Sequence, residues 1–118
     1  MLKLLEDMTH FYICCGRTDM RKEIDGLAAI VQITYGEELK EGSLFLFCGR
    51  KADRMKGLFY DGSGYVLLYK RLADGRFQWP RNPQELKQIT GQEFRWLMEG
   101  LSIYQSKTIQ KVEPRTLF

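Results

Sequence analysis

The feature that most constrains this chain is a run of short apolar segments between residues 43 and 80, each closed by a turn signal. Ser43–Cys48 stops at Gly49. Lys56–Tyr60 stops at Asp61-Gly62-Ser63-Gly64, and Tyr65–Leu72 stops at Ala73-Asp74-Gly75. Arg76–Pro80 alternates, with Phe77 and Trp79 on one side and Arg76 and Gln78 on the other. Segments of this length bounded by Gly and Asp are strand signals. The glycines accept the positive φ that tight turns demand. Turns this short join antiparallel neighbours, so the pattern predicts a four-strand meander. Pro80 and Pro83 end it, because proline cannot donate to a ladder.

Upstream, Phe11-Tyr12-Ile13-Cys14-Cys15 reads as a buried strand closed by Gly16. Asp19 is placed to cap the helix that follows. Ile24, Leu27, Ala28, Val31 and Tyr35 then recur at helical spacing, with Lys22, Glu23, Asp25 and Gln32 off the stripe. This predicts one amphipathic helix over 20–35, with Gly36 just past its end. Glu37 to Gly42 is a charged loop. Residues 84–90 are ambiguous, with room for a short strand near Leu86–Ile89. Thr90 and Glu93 have the spacing of a capping box, and Phe94, Leu97, Met98 and Leu101 form a short stripe, predicting a helix over 91–100 ended by Gly100. The order β-α-β-β-β-β-α implies an α+β domain: a mostly antiparallel sheet with one long and one short helix packed on it. The expectation is a single domain over 1–118, with an ordered core over 10–101 and a frayed or partner-ordered tail over 102–118.

Composition narrows the function classes. The 118 residues are 44% hydrophobic and 28% charged, which excludes a wholly disordered or collagen-like chain. No apolar stretch approaches the roughly 20 residues of a membrane span, and acid arrives too early at the N-terminus for a secretory signal. Three cysteines, two of them adjacent, imply no disulfide framework. The chain therefore reads as intracellular, with a cytoplasmic location expected.

Catalytic and metal chemistry find little support. His10, Cys14, Cys15 and Cys48 are the soft ligands, but adjacent cysteines on a strand point to opposite faces and no C-x-x-C pair exists. The cysteines read as small core residues. A Cys–His mechanism would need His10 beside an activated thiol, and no nucleophile-elbow sequence is present. Asp19, Asp25, Asp53 and Asp61 offer oxygen ligands for Mg²⁺, yet each has a local role as cap, helix-surface partner, ion-pair member or turn former. Gly62-x-Gly64 lies between strands and lacks the helix a dinucleotide site needs. No catalytic residue, metal or cofactor is assigned.

Charge is the positive signal. The net charge is only +3, but residues 1–48 carry −3 and residues 49–81 carry +5. Arg50, Lys51, Arg54 and Lys56 fall around one strand-joining loop, and Lys70, Arg71, Arg76 and Arg81 on the next hairpin. Phe59, Tyr60, Tyr65, Tyr69, Phe77 and Trp79 interleave with them. Cations on hairpin tips with flat side chains between them suit phosphate neutralisation and base contact. Those eight basic residues are the candidate nucleic-acid-binding set. Several strands are apolar on both faces, such as Phe45/Phe47 against Leu44/Leu46, so one sheet face is expected to be covered by the second helix or by a partner protein.

The ordered motifs resemble a known family. They comprise Cys15-Gly16-Arg17-Thr18-Asp19-Met20-Arg21-Lys22, Ile24-Asp25-Gly26-Leu27, Leu44-Phe45-Leu46-Phe47, Asp53-Arg54-Met55-Lys56, Tyr60-Asp61-Gly62-Ser63-Gly64, Tyr69-Lys70-Arg71-Leu72 and Gly75-Arg76-Phe77-x-Trp79-Pro80. Together they resemble the TnpB-type proteins encoded by the second reading frame of a large bacterial insertion-sequence family, number sixty-six. The resemblance is close over 11–80, weaker through the final helix and absent from the tail. It implies a non-enzymatic accessory factor for DNA transposition, working beside a separate transposase that supplies the strand-transfer chemistry. The implied partners are the DNA ends of the element, that transposase, or both, with homo-oligomers as a further possibility. The alternative is a pure protein-interaction module without nucleic-acid contact; an enzyme such as a metal nuclease ranks third. Glu37, Glu38 and Glu41 would oppose DNA nearby, and the tail, with Lys107, Lys111 and Arg115, departs from the family pattern.

Overall fold

The computed structural model describes residues 5–105. Its elements are β1 (His10–Cys14), α1 (Ile24–Ala29, continued by a π-helical turn over Ile30–Thr34), β2 (Ser43–Cys48), β3 (Arg54–Tyr60), β4 (Tyr65–Arg71), β5 (Leu86–Ile89) and α2 (Gly91–Met98). One five-stranded sheet has the order β4-β3-β2-β1-β5. β1 and β2 pair in parallel, joined by the α1 crossover, and every other pairing is antiparallel. The fold is therefore α+β with a mostly antiparallel sheet and two helices.

Four expectations need correction. Arg76–Pro80 is not a strand. Phe77 and Trp79 both turn inward and are buried, while the Phe77 N–H bonds the Ala52 carbonyl across a loop and the Trp79 indole N–H bonds the Cys14 carbonyl at 3.0 Å. The segment is a cover laid over the sheet, and the fifth strand is Leu86–Ile89 against β1. The first helix is shorter than 20–35, because residues 19–23 are held by loop contacts instead of helix bonds. Asp19 accordingly caps nothing: its carboxylate accepts from the Arg21 N–H at 2.9 Å, an Asx turn, and the α1 N-terminus at Glu23 has no side-chain cap. The second helix stops at Met98, earlier than residue 100.

Both faces of the sheet are covered from within the chain, which explains the continuous apolar runs. Phe45, Phe47, Leu58 and Cys14 pack under Leu27 and Val31 of α1. Phe11, Ile13, Leu44, Leu46, Met55 and Phe59 pack under Leu97 of α2, with Phe77, Trp79 and Ile103 completing that layer. Truncating Phe45 or Phe47 to alanine would cost about 3–5 kcal/mol through lost transfer energy and cavity formation. Ile103 is 4% exposed, so the core reaches beyond residue 101. The expectation for the rest of the tail falls outside the described residues.

The helix ends follow their sequence signals. Thr90 Oγ1 accepts from the Glu93 N–H at 3.0 Å, while the Glu93 carboxylate accepts from the Thr90 N–H at 2.8 Å. Gly100, at φ +83°, lets its own N–H reach the Leu97 carbonyl and that of Leu101 reach Trp96, closing a Schellman end.

Candidate nucleic-acid interface

Sheet topology sorts the charges. The C-terminal ends of β1, β2 and β4 and the start of β3 meet at one end of the sheet. Three loops are tied together there. The Thr18 N–H donates to the Cys48 carbonyl, the Leu72 N–H to Asp53 and the Phe77 N–H to Ala52. Arg50, Lys51, Lys70, Arg71 and Arg76 are exposed on this rim, and Arg54 is half-buried within it. Glu41 forms a bridge with Tyr60 at the opposite end, where the Asp61 turn also lies. The five residue steps of β2 put roughly 17 Å between the two ends. Glu37, Glu38 and Glu41 therefore do not face the cations, and the sheet is polar along its strands.

A groove of about 300 Å³ opens on the rim, lined by Thr18, Asp19, Met20, Gly49, Arg50, Lys51, Asp53 and Arg54. Its carboxylates are already engaged. Asp19 holds the Arg21 guanidinium at 2.8 Å, and that pairing keeps Asp19 well below the usual carboxylate range. Asp53 lies 3.9 Å from the Arg54 Nε. Met20 forms the groove wall by lying on Gly49, where a Cβ would come within 2.7 Å of the Met20 Cγ. The motif over residues 15–27 thus builds the wall beside the cations. Gly26 faces Lys22, and Asp25 lies exposed in the first turn of α1.

Two members of the candidate set are turned inward. Lys56 is buried; its ammonium donates to the Lys22 carbonyl at 2.7 Å, lies 3.7 Å from Glu23 and sits 5.5 Å from the centre of the Tyr69 ring. Arg81 is half-buried, and its guanidinium reaches the carbonyls of Gly16 and Gly49, stapling the ends of β1 and β2. Their basic spacing in sequence resembles that of the exposed residues; only the tertiary contacts separate them. The arginine stapling role had no signal in the sequence.

The remaining motif residues have structural work. Asp61 accepts from the N–H groups of Ser63 and Gly64, both at 2.9 Å, and from the Ser63 hydroxyl at 3.1 Å. These bonds, led by the Ser63 N–H, lower its pKa. Gly62 adopts φ +98° there and leaves room for Glu41.

All three cysteines are buried and free. Burial pushes the thiols of Cys15 and Cys48 up to about 11 and that of Cys14 higher still. His10 starts β1 while Cys14 ends it, so about 13 Å of strand separates them. Among the described residues, no three His, Cys, Asp or Glu side chains are grouped to hold a metal ion, and no helix is long and apolar enough to cross a membrane.

Fold and charge together define a small α+β protein with a cationic rim at one end of its sheet. The chain belongs to the family of IS66 Orf2-like proteins, whose match runs from residue 9 to residue 108. That span continues through α2, past the region where the recognisable motifs are densest. Membership gives the chain a transposition-associated accessory role. The chain is 36% identical to the uncharacterized protein y4hO of Sinorhizobium fredii, covering 76% of this chain and 78% of that one. It is 31% identical to the uncharacterized protein y4jC of the same organism, over 70% and 71%. No solved structure matches it.

Proposed function

We propose that this protein is a non-enzymatic accessory factor for transposition that binds DNA of its insertion sequence through the cationic rim. The observation that carries this reading is the segregation of charge. Arg50, Lys51, Arg54, Lys70, Arg71 and Arg76 converge from two loops and the adjoining ends of β3 and β4, and the acidic loop is held at the other end of the sheet. Such an arrangement gives phosphate contact with release of counterions. Lys56 and Arg81 belong to the scaffold of that surface and are left out of the contact set. The work is done in the cytoplasm beside the transposase.

The test is binding to labelled duplex carrying the element's own end, across a salt series, against random duplex. Tight, salt-sensitive binding supports the reading, and preference for the end makes it a site-recognition factor. Absence of binding to both duplexes would contradict it.

A second reading, contact with the transposase or a second copy, is favoured by two features. The outer edge of β4 is unpaired, and Ile33 on the π-helical turn is 83% exposed. Capture of the transposase by wild-type protein, lost on Ile33→Asp, would support it.

A further inference from the structure

Next to the cationic rim, on the face covered by α1, lies a groove of about 410 Å³ lined by Met20, Glu23, Lys56, Leu67 and Tyr69. Tyr69 is 54% exposed although it is a large aromatic residue. The Lys56 ammonium beneath the ring holds it in place, while Met20 and Leu67 give the groove apolar walls. Met20 also lines the rim groove, so the two grooves adjoin. Two residues further along β4, on the same face, comes Arg71, and it stands directly opposite Arg54. Like charges facing each other across a ladder are destabilising unless an anion lies between them. Asp53 serves Arg54 at 3.9 Å; among the described residues no carboxylate lies within 4 Å of Arg71.

An aromatic ring with an open face, an apolar slot beside it and two cations one step away along the strand match the chemistry of an unpaired nucleotide. The base has a flat face to stack, and its flanking phosphates are anionic. Glu23, whose side chain is 78% exposed, offers acceptor oxygens to a base amino group. A duplex cannot fill this slot, because its bases are stacked on each other. We propose that the groove between Met20 and Tyr69 receives an unpaired base of single-stranded DNA, stacked on Tyr69, with its neighbouring phosphates on Arg54 and Arg71. This inference rests on the DNA-binding reading of the rim and adds the class of strand that the site takes.

The experiment compares fluorescein-labelled oligo-dC with an abasic oligonucleotide of equal length and with duplex. Wild-type protein should prefer oligo-dC over the abasic strand by roughly tenfold or more, the usual scale of one base–aromatic stack. Tyr69→Leu should erase that preference while leaving duplex affinity unchanged, and Tyr69→Phe should keep it. Changing Arg50, Lys51 and Arg54 to alanine should weaken every arm. Equal binding of oligo-dC and abasic strand, with duplex still bound, would overturn this inference and leave the rim reading standing. No binding of any DNA would overturn both. A wild-type dimer that Tyr69→Leu converts to monomer, with oligo-dC affinity unchanged, would overturn it in favour of a second copy pairing along β4.

Discussion

Arg54 and Arg71 face each other as partners across the β3–β4 ladder, two guanidinium groups on the same side of the sheet. Neither belongs to the buried core. Cross-strand like charges are unfavourable by a few tenths of a kcal/mol up to about 1. Replacing Arg71 with threonine, a good strand residue, should raise the urea midpoint slightly and weaken DNA binding. A variant that lost both stability and binding would show instead that Arg71 holds the hairpin together.

Gly49 and Met20 are coupled through space. Because a Cβ at 49 would meet the Met20 Cγ at 2.7 Å, Gly49→Ala should destabilise the protein by about 1–3 kcal/mol, the usual cost of overpacking. Adding Met20→Ala should recover much of that loss. Urea denaturation of the two single variants and the double variant measures the coupling. Additive losses would mean that the two sites act independently.

Arg81 acts as a staple, so its loss should appear in stability. Arg81→Met leaves the Gly16 and Gly49 carbonyls without their charged donor and should cost about 2 kcal/mol. DNA affinity of the folded protein should change far less than in an Arg50→Ala variant. Lys56→Met should behave in the same way in stability and in duplex affinity, through the Lys22 carbonyl. Measuring both midpoints and both affinities separates the scaffold from the contact surface.

The thiols give a pH signature. Their pKa values are raised by burial from the ordinary 9 to about 11 for Cys15 and Cys48. The unfolded chain therefore ionises its thiols first, and stability falls as pH rises from about 9 to 11. The same burial should keep the cysteines unreactive toward a thiol reagent at pH 8 until urea unfolds the chain. Rapid labelling of the native protein would contradict the burial of all three.

Local signals in the sequence proved informative where the structure is locally determined. The Thr90–Glu93 box, the glycines at 36 and 100 and the Asp61 turn all do what their chemistry requires. The α1 stripe was also legible, because Leu27 and Val31 need one face. What was not legible depended on distant contacts. The parallel pairing of β1 with β2 is set by a crossover, and neither strand encodes its partner. Phe77 and Trp79 alternate like strand residues, yet the Phe77 N–H is taken by the Ala52 carbonyl and the Trp79 indole by that of Cys14. Lys56 and Arg81 read as members of a basic strip because sequence records charge and says nothing of which carbonyl lies nearby. The rim itself was half legible: the basic loops were visible in the sequence, but their separation from Glu37, Glu38 and Glu41 follows only from the direction of β2.

The central claim is that DNA contacts one end of the sheet, and neutralising each end in turn tests it most directly. The affinity for duplex would be measured against salt for the wild type, for Arg50, Lys51 and Arg54 changed together to alanine, and for Glu37, Glu38 and Glu41 changed together to glutamine. The rim variant should bind more weakly, with the slope of log affinity against log salt reduced by about three. The acidic-end variant should match the wild type in slope. An unchanged slope in a folded rim variant would contradict the account and move DNA off this surface.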